Sequence, residues 1–351
     1  MKIPKPILAA SADALCVKLT GVLAGRRYLL LTDEQVSAHC LPLLSEVIAD
    51  FPPLDIVEVE AGEVSKSPEV VMQLWSHLLE LGVQRGDVLV CLGGGSVCDV
   101  GGFLAATFKR GIPVVFIPTT LLAMTDAAVG GKNGIDIEGV KNAVGTIRMP
   151  ECILVYPGFC DSLAQEEFAS GYGEVVKHAL LAGGPLFDEV SGLGVIPKKM
   201  KAGLLKRSIA VKYALVKTDP YEANERAKLN FGHTVGHALE AVLLAAGKPI
   251  PHGIAVAIGM QVELRLGLML GMIEQQEEER LQLLLHTLFS SAYPVFPNWA
   301  ELEVYLLNDK KAGRSGIRLP IVELPGLVTL LDLRDLSKMQ EAYNQWVIAQ
   351  S

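Results

Sequence analysis

Over its first half the chain alternates short apolar runs with longer segments whose apolar positions recur every three or four residues. Tyr28–Asp33, Val88–Leu92, Val114–Ile117 and Ile153–Tyr156 are the runs. Residues 34–49 and 68–81 lie between them with helical spacing, and Ser67-Pro68 gives the second an N-cap and a first-turn proline. Strands this apolar are covered on both faces, which predicts a mostly parallel sheet built from βαβ units. After about residue 158 the pattern changes. Helical spacing dominates 163–182, 199–216, 228–246, 253–271 and 275–288, with strand-like runs only at 318–322 and 327–330. The expected fold is an α/β, Rossmann-like domain over residues 1–158, followed by a mainly α-helical domain over 159–351.

Bulk properties narrow the function. A chain of 351 residues has room for two domains and a substantial core. Its net charge of −8 argues against nucleic acid or an anionic membrane as partner. There is no uninterrupted apolar run of about 18 residues, so no membrane-spanning helix is expected, and the N-terminus has no signal-peptide pattern. The six cysteines form no CxxC pair, and several sit in apolar runs as small hydrophobes. A reducing, cytoplasmic setting is the simplest expectation.

Two groups of residues carry chemistry in the first half. The run 88–92 passes into Gly93-Gly94-Gly95-Ser96-Val97-Cys98-Asp99 and then a helical pattern. Glycines at such a turn let the backbone approach a ligand, and the helix N-terminus presents free amides to a phosphate. Cys98 stands where GxGxxG needs its last glycine, and there is no Gly-Lys-Ser/Thr of a P-loop. A bare tight turn is the plainer alternative. Glu63 and Lys66 after another strand-like run, and Pro118-Thr119-Thr120 at the end of a third, bring three strand ends to one crevice, which suits a dinucleotide. The second group is a glycine-rich loop with Lys132, Asn133, Lys141 and Asn142, able to clamp a carboxylate or phosphate, near Asp126 in an apolar setting.

In the second half Glu174 and Lys177 are three apart and share a helix face, as an ordinary surface pair would. Arg226, Asn230, His233 and His237 follow at spacings of three or four, which predicts one shared helix face, and Pro251-His252-Gly253 comes soon after. Neutral imidazole is the commonest transition-metal ligand, and Glu174 would join two imidazoles as an oxygen donor. Thr234 occupies the position where an HExxH protease needs its glutamate. Histidines four apart often only pack or face water. Beside arginine and asparagine they point to a metalloenzyme acting on an anionic, hydroxylated substrate.

In this order the motifs resemble the 3-dehydroquinate synthase family: Gly93–Asp99, Pro118-Thr-Thr-Leu-Leu-Ala, Gly130-Gly-Lys132, Lys141-Asn142, Glu174-Val-Val-Lys177, Arg226-x-x-x-Asn230-Phe-Gly-His233, His252-Gly253 and Asp309-Lys310-Lys311. The resemblance spans about residues 60–330. It implies Glu174, His233 and His252 as ligands of zinc or cobalt. It implies NAD on Glu63, Lys66, Gly93, Gly94, Gly95, Ser96, Val97, Cys98, Asp99, Thr119, Thr120, Lys132, Lys141, Phe159, Cys160, Asp161 and Ser162. A seven-carbon keto-acid phosphate would be held by Asp126, Lys132, Asn142, Lys177, Lys212, Arg226, Asn230, His237 and Lys310 or Lys311. Arg110 would reach the phosphate in a partner subunit, implying a homodimer. Three positions depart from the family pattern: Asn133 stands for threonine, Ile254 for glutamate, and Ser96 for an apolar residue. Other sugar phosphate cyclases, a polyol or glycerol dehydrogenase of the same fold, and a ligand-sensing relative without activity remain as alternatives.

Overall fold

The computed structural model describes residues 2–138, 140–310 and 316–350. They form two compact units, Met1–Ala164 with Lys199–Lys217, and Gln165–Lys198 with Thr218–Ser351.

The first unit contains β1 (Ile7–Leu8), α1 (Ala12–Leu23), β2 (Tyr28–Asp33), α2 (Glu34–His39), α3 (Ser45–Asp50), β3 (Ile56–Val59), α4 (Pro68–Glu80), β4 (Val88–Gly93), α5 (Gly95–Thr107), β5 (Val114–Pro118), β6 (Lys132–Ile137), β7 (Val140–Ile147) and β8 (Cys152–Val155). Six strands make one parallel sheet in the order β1-β8-β5-β4-β2-β3. All residues of β2, β4, β5 and β8 are buried, as double-sided cover requires. The chain leaves β2 for β3 on one side and returns to β4 on the other, so the sheet switches direction between β2 and β4. Crevices that bind ligands in open α/β sheets open at such a point, beyond the carboxyl ends of the strands.

Two local expectations change here. The helix predicted over 34–49 is cut into α2 and α3 by a 3₁₀ turn at Leu41–Leu44, where Pro42 has no amide to continue the ladder. The lysine-bearing glycine segment is an antiparallel hairpin, β6 on β7, and not an open loop. Its glycines allow close pairing of the strands: a Cβ on Gly145 would lie 2.5 Å from the Asn133 carbonyl oxygen.

The second unit contains α6 (Gln165–Ala182), α7 (Gly184–Gly192), α9 (His233–Ala245), α10 (His252–Met269), α11 (Gln275–Phe289), α12 (Trp299–Lys310), the hairpin β9 (Ile317–Leu324) with β10 (Leu327–Leu333), and α13 (Ser337–Ala349). The intervening α8 (Ala202–Thr218) packs with the first unit. Helix α10 is buried over almost its whole length and packs against α6, α9, α11 and α13. Glycines let the backbones touch: a Cβ on Gly253 would sit 1.7 Å from the Ser170 carbonyl oxygen of α6, and one on Gly259 1.9 Å from that of Gly232.

The single helix expected over 228–246 does not form. Residues Glu225–Asn230 make a 3₁₀ turn, Gly232 takes a left-handed conformation with φ of 80°, and α9 starts only at His233. A side chain at Gly232 would meet the Val256 carbonyl of α10 at 2.4 Å, so the chain must turn there. Arg226 and Asn230 therefore do not share a helix face with His233 and His237. Among the described residues no helix is long and apolar enough to cross a membrane.

Candidate functional site

At the sheet end of the first unit, Gly93 closes β4 and α5 begins at Gly95 with no side-chain cap on its N-terminal amides. The Thr119 amide donates to the Gly93 carbonyl at 2.9 Å, tying the ends of β4 and β5 together. Cβ atoms added at Gly94 and Gly95 would lie 3.2 Å from Thr120 Cγ2 and 3.3 Å from the Ala127 methyl. Thr119 Oγ1 is buried and has no hydrogen-bond partner among the described residues. Uncapped amides, bare glycines and an orphaned hydroxyl suit a phosphate-bearing nucleotide. Val97 and Cys98 are buried against the sheet, so they face a ligand only through their backbone, and burial pushes the Cys98 thiol far up. Ser96 is half-buried in the first turn of α5. Phe159 and Cys160 are buried, with Cys160 Sγ 3.7 Å from Met124 Sδ. Asp161 and Ser162 are exposed, and Lys199 pairs with Asp161 at 3.2 Å.

Lys66 is a hub within this unit. Only 3% exposed, its Nζ lies 2.9 Å from Asp99 Oδ2, 2.6 Å from Asn142 Oδ1, 3.5 Å from Glu63 and 3.9 Å from Asp136. It links the glycine turn's helix to the β6–β7 hairpin. Burial raises the Asp99 carboxyl to about 6 although Lys66 pulls it down. Asp126 sits in a single π-turn, Ala123–Ala127, and is ion-paired with Lys212 of α8, which also donates to its carbonyl at 2.6 Å. Such π-turns recur at functional positions. On the hairpin, Lys132 and Lys141 are exposed. Asn133 is buried, donating to the Gly131 and Arg148 carbonyls, so the amide in threonine's place pins the hairpin base. Arg110 is exposed on a turn where Lys109 and Arg110 both take positive φ, 48° and 64°. Non-glycine residues adopt that conformation at a cost of about 1–2 kcal/mol each.

In the second unit α6, α9 and α10 bring four donors together. His233 Nε2 and His252 Nε2 each lie 3.7 Å from Glu174 Oε1. His237, one turn along α9 and exposed, completes a cluster in which one nitrogen each of His233, His237 and His252 lies within 4.8 Å of the others. Two overlapping triads result. The one containing Glu174 carries the negative charge that a dication needs, and its buried Oε1 faces the two imidazoles while Oε2 is paired with Lys177. A carboxylate and two imidazoles with positions left open are a catalytic zinc-type donor set, so the residues fit a divalent ion. Lys177 Nζ, fully buried, stands 2.5 Å from Glu174 Oε2. Burial works to raise the Glu174 carboxyl, but Lys177 and the two histidines hold it well below the usual carboxylate range. Burial and Lys177 hold His233 well below the ordinary histidine value.

Arg226 is buried, donating to the Pro220 carbonyl at 2.7 Å and facing Glu222 at 3.7 Å. Asn230 donates to Glu222 at 2.8 Å. Glu222 thus joins two expected substrate residues that the turn had separated from α9. Lys310 ends α12, while its side chain and Lys311 lie outside the described residues.

Three carboxylates have no signal in local sequence: Glu222, Glu240 and Glu263. Glu240 Oε2 lies 2.9 Å from His252 Nδ1. Ile254 is fully buried, and the carboxylate beside His252 comes from α9, twelve residues earlier in the chain. Glu263 accepts from the Gly232 amide at 2.8 Å.

Comparison with known proteins adds to this geometry. Residues 56–170 match the pattern of the 3-dehydroquinate synthase N-terminal family, and residues 171–312 that of its C-terminal counterpart. A 3-dehydroquinate synthase of Parabacteroides distasonis is 41% identical over 68% of this chain and 67% of its own length. One of Geotalea uraniireducens is 33% identical over 90% and 88%. Among solved structures, 2-epi-5-epi-valiolone synthase from Streptomyces hygroscopicus, with NAD+ and Zn2+ bound, is 24% identical with a TM-score of 0.87, covering 99% of this chain and 98% of its own. A probable glycerol dehydrogenase from Sinorhizobium meliloti is 17% identical with a TM-score of 0.62, covering 100% and 98%.

Proposed function

The chain belongs to the 3-dehydroquinate synthase family, and from that premise we propose which residues carry its activity. The enzyme converts 3-deoxy-D-arabino-heptulosonate 7-phosphate to 3-dehydroquinate and phosphate, a carbon–oxygen lyase reaction of the shikimate pathway toward aromatic amino acids. Its cofactors are NAD and a divalent metal, zinc or cobalt. Glu174, His233 and His252 hold the metal. The observation that carries this is the shared 3.7 Å approach of two imidazoles to one buried carboxylate oxygen without a hydrogen bond. The glycine turn Gly93–Asp99, with Thr119, Thr120, Glu63 and Lys66, holds NAD, with Lys132, Lys141 and Phe159–Ser162 contributing. When bound, NAD accepts and returns a hydride while the metal polarises the oxygen on the carbon being oxidised.

The side chains of the protein bind and orient. Arg226, fixed by Glu222 and the Pro220 carbonyl, presents a rigid fork to a carboxylate or phosphate. Asn230 and His237 take the substrate's polar groups in the second unit. In the first unit Asp126, Lys132, Asn142 and Lys212 do so, with Lys310 adding a further cation. Lys177 is a point charge beside Glu174 that favours an anionic substrate. Arg110, exposed on a turn of positive φ, serves the phosphate of a second copy, so the working form is a homodimer.

Phosphate release from the heptulosonate phosphate, with and without chelator, tests the reading. Release that requires NAD and is abolished by chelator is expected. Preference for sedoheptulose 7-phosphate or glucose 6-phosphate would make the chain a different cyclase. Steady NADH formation from glycerol would make it a dehydrogenase.

A further inference from the structure

We propose that Glu240 and Glu263 are paired positioning residues that orient the two imidazoles of the metal site, one directly and one through a peptide bond. The proposal rests on the metal reading above and adds to its three ligands.

The two helices exchange carboxylates. Helix α9 carries Glu240, which takes the Nδ1 side of His252 at 2.9 Å, and His252 opens α10. With Nδ1 bound to a carboxylate, a proton belongs there, and Nε2, on the Glu174 Oε1 side, is the nitrogen left for a metal. Helix α10 carries Glu263, fully buried, which accepts from the Gly232 amide at 2.8 Å. Burial pushes the Glu263 carboxyl well above the usual carboxylate range, although the Gly232 and Thr234 amides work to lower it. Gly232 N–H and the Phe231 carbonyl belong to one peptide unit, and that carbonyl lies 3.2 Å from His233 Nδ1. Glu263 therefore grips one side of the peptide whose other side holds the His233 ring. An oxygen accepting from the N–H polarises the peptide and strengthens its carbonyl as an acceptor. The result for His233 matches that for His252: Nδ1 carries the proton and Nε2 faces Glu174.

The backbone accommodates nothing else at this point. Gly232 has φ of 80°, and a Cβ there would meet the Val256 carbonyl at 2.4 Å and the Met260 amide nitrogen at 2.9 Å. The peptide is thus aimed by a glycine turn and fixed by Glu263.

The test uses the full chain stripped of metal. Zn2+ affinity is measured by competition with a chromophoric chelator, and the Co2+ absorption spectrum is recorded, for the wild type, Glu240→Gln and Glu263→Gln. Each variant is expected to bind Zn2+ about 10- to 100-fold more weakly and to shift the Co2+ bands. Far-UV dichroism of the metal-free forms checks that the fold is kept. Wild-type affinity together with an unshifted Co2+ spectrum in Glu263→Gln overturns the relay. Histidine ¹⁵N spectra of the zinc-loaded wild type need no variant to fold: Nδ1-protonated His233 and His252 support the proposal, and an Nε2-protonated His233 overturns it. If the wild type binds no Zn2+, or Glu174→Ala and His233→Ala bind it unchanged, the metal reading itself falls and the relay with it.

Discussion

The two units build their sites from different materials. At its glycine turn the first uses backbone: glycines, uncapped amides and strand ends, with buried Lys66 paired to Asp99 beside it. The second uses buried ionisable side chains drawn from three helices. A backbone site tolerates changes that leave the turn intact, because its ligand groups belong to every residue type. A site of buried charges does not, because each charge is balanced only by its neighbours.

Glu174→Ala probes the contrast most severely. It removes a metal ligand and deprives buried Lys177 of its closest counter-charge. Activity should fall at least about 10³-fold, since a metal contributes several kcal/mol to catalysis. Stability should drop by about 3–5 kcal/mol, read as a shift in the urea midpoint. A midpoint unchanged from wild type would mean that the second unit's charges are not mutually dependent.

Gly253→Ala comes next. Its methyl would fall 1.7 Å from the Ser170 carbonyl oxygen, so α6 and α10 must separate and carry Glu174 away from His252. A loss of about 3 kcal/mol is expected, at the upper end of overpacking costs, together with weaker metal binding.

The first unit should answer to pH in a defined window. Asp99 has its folded value raised from 3.8 to about 6, so its ionisation opposes folding. Its favourable contribution is complete below pH 3.8 and gone above about pH 6. After screening the difference is on the order of 2 kcal/mol. Urea melts across that range should show stability falling as pH rises, with Asp99→Asn removing this component.

Gly95→Ala sharpens the comparison with a smaller effect. The new methyl approaches only the Ala127 side chain, at 3.3 Å, and alanine suits a helix better than glycine. Stability should change by less than about 1 kcal/mol, while NAD affinity, measured by fluorescence titration, declines. A large loss of stability without loss of NAD binding would contradict the cradle. At the bottom of the scale, Glu277→Ala breaks an exposed pair with Arg280 and should cost under about 0.5 kcal/mol.

Much of this molecule is legible in its sequence because the forces involved are local. Strands covered on both faces must be apolar throughout, so β2, β4, β5 and β8 announce themselves, and Ser67-Pro68 marks where α4 begins. The hairpin β6–β7 escapes such reading because its glycines mimic a loop. The break before α9 escapes because a three-or-four spacing continues straight through Gly232, whose left-handed turn is forced by contact with α10. Motif order alone reaches Glu174, His233 and His252.

The sequence by itself determined the parallel sheet and the glycine turn, since each rests on residue type and near-neighbour spacing, and through the order of its motifs it pointed to Glu174, His233 and His252. Only the tertiary structure decided what surrounds them. It buried the Glu174–Lys177 pair, drew Lys66 between Asp99 and Asn142, and crossed Glu240 and Glu263 between α9 and α10. A buried charge needs a partner close in space, and the backbone is free to supply that partner from any point along the chain.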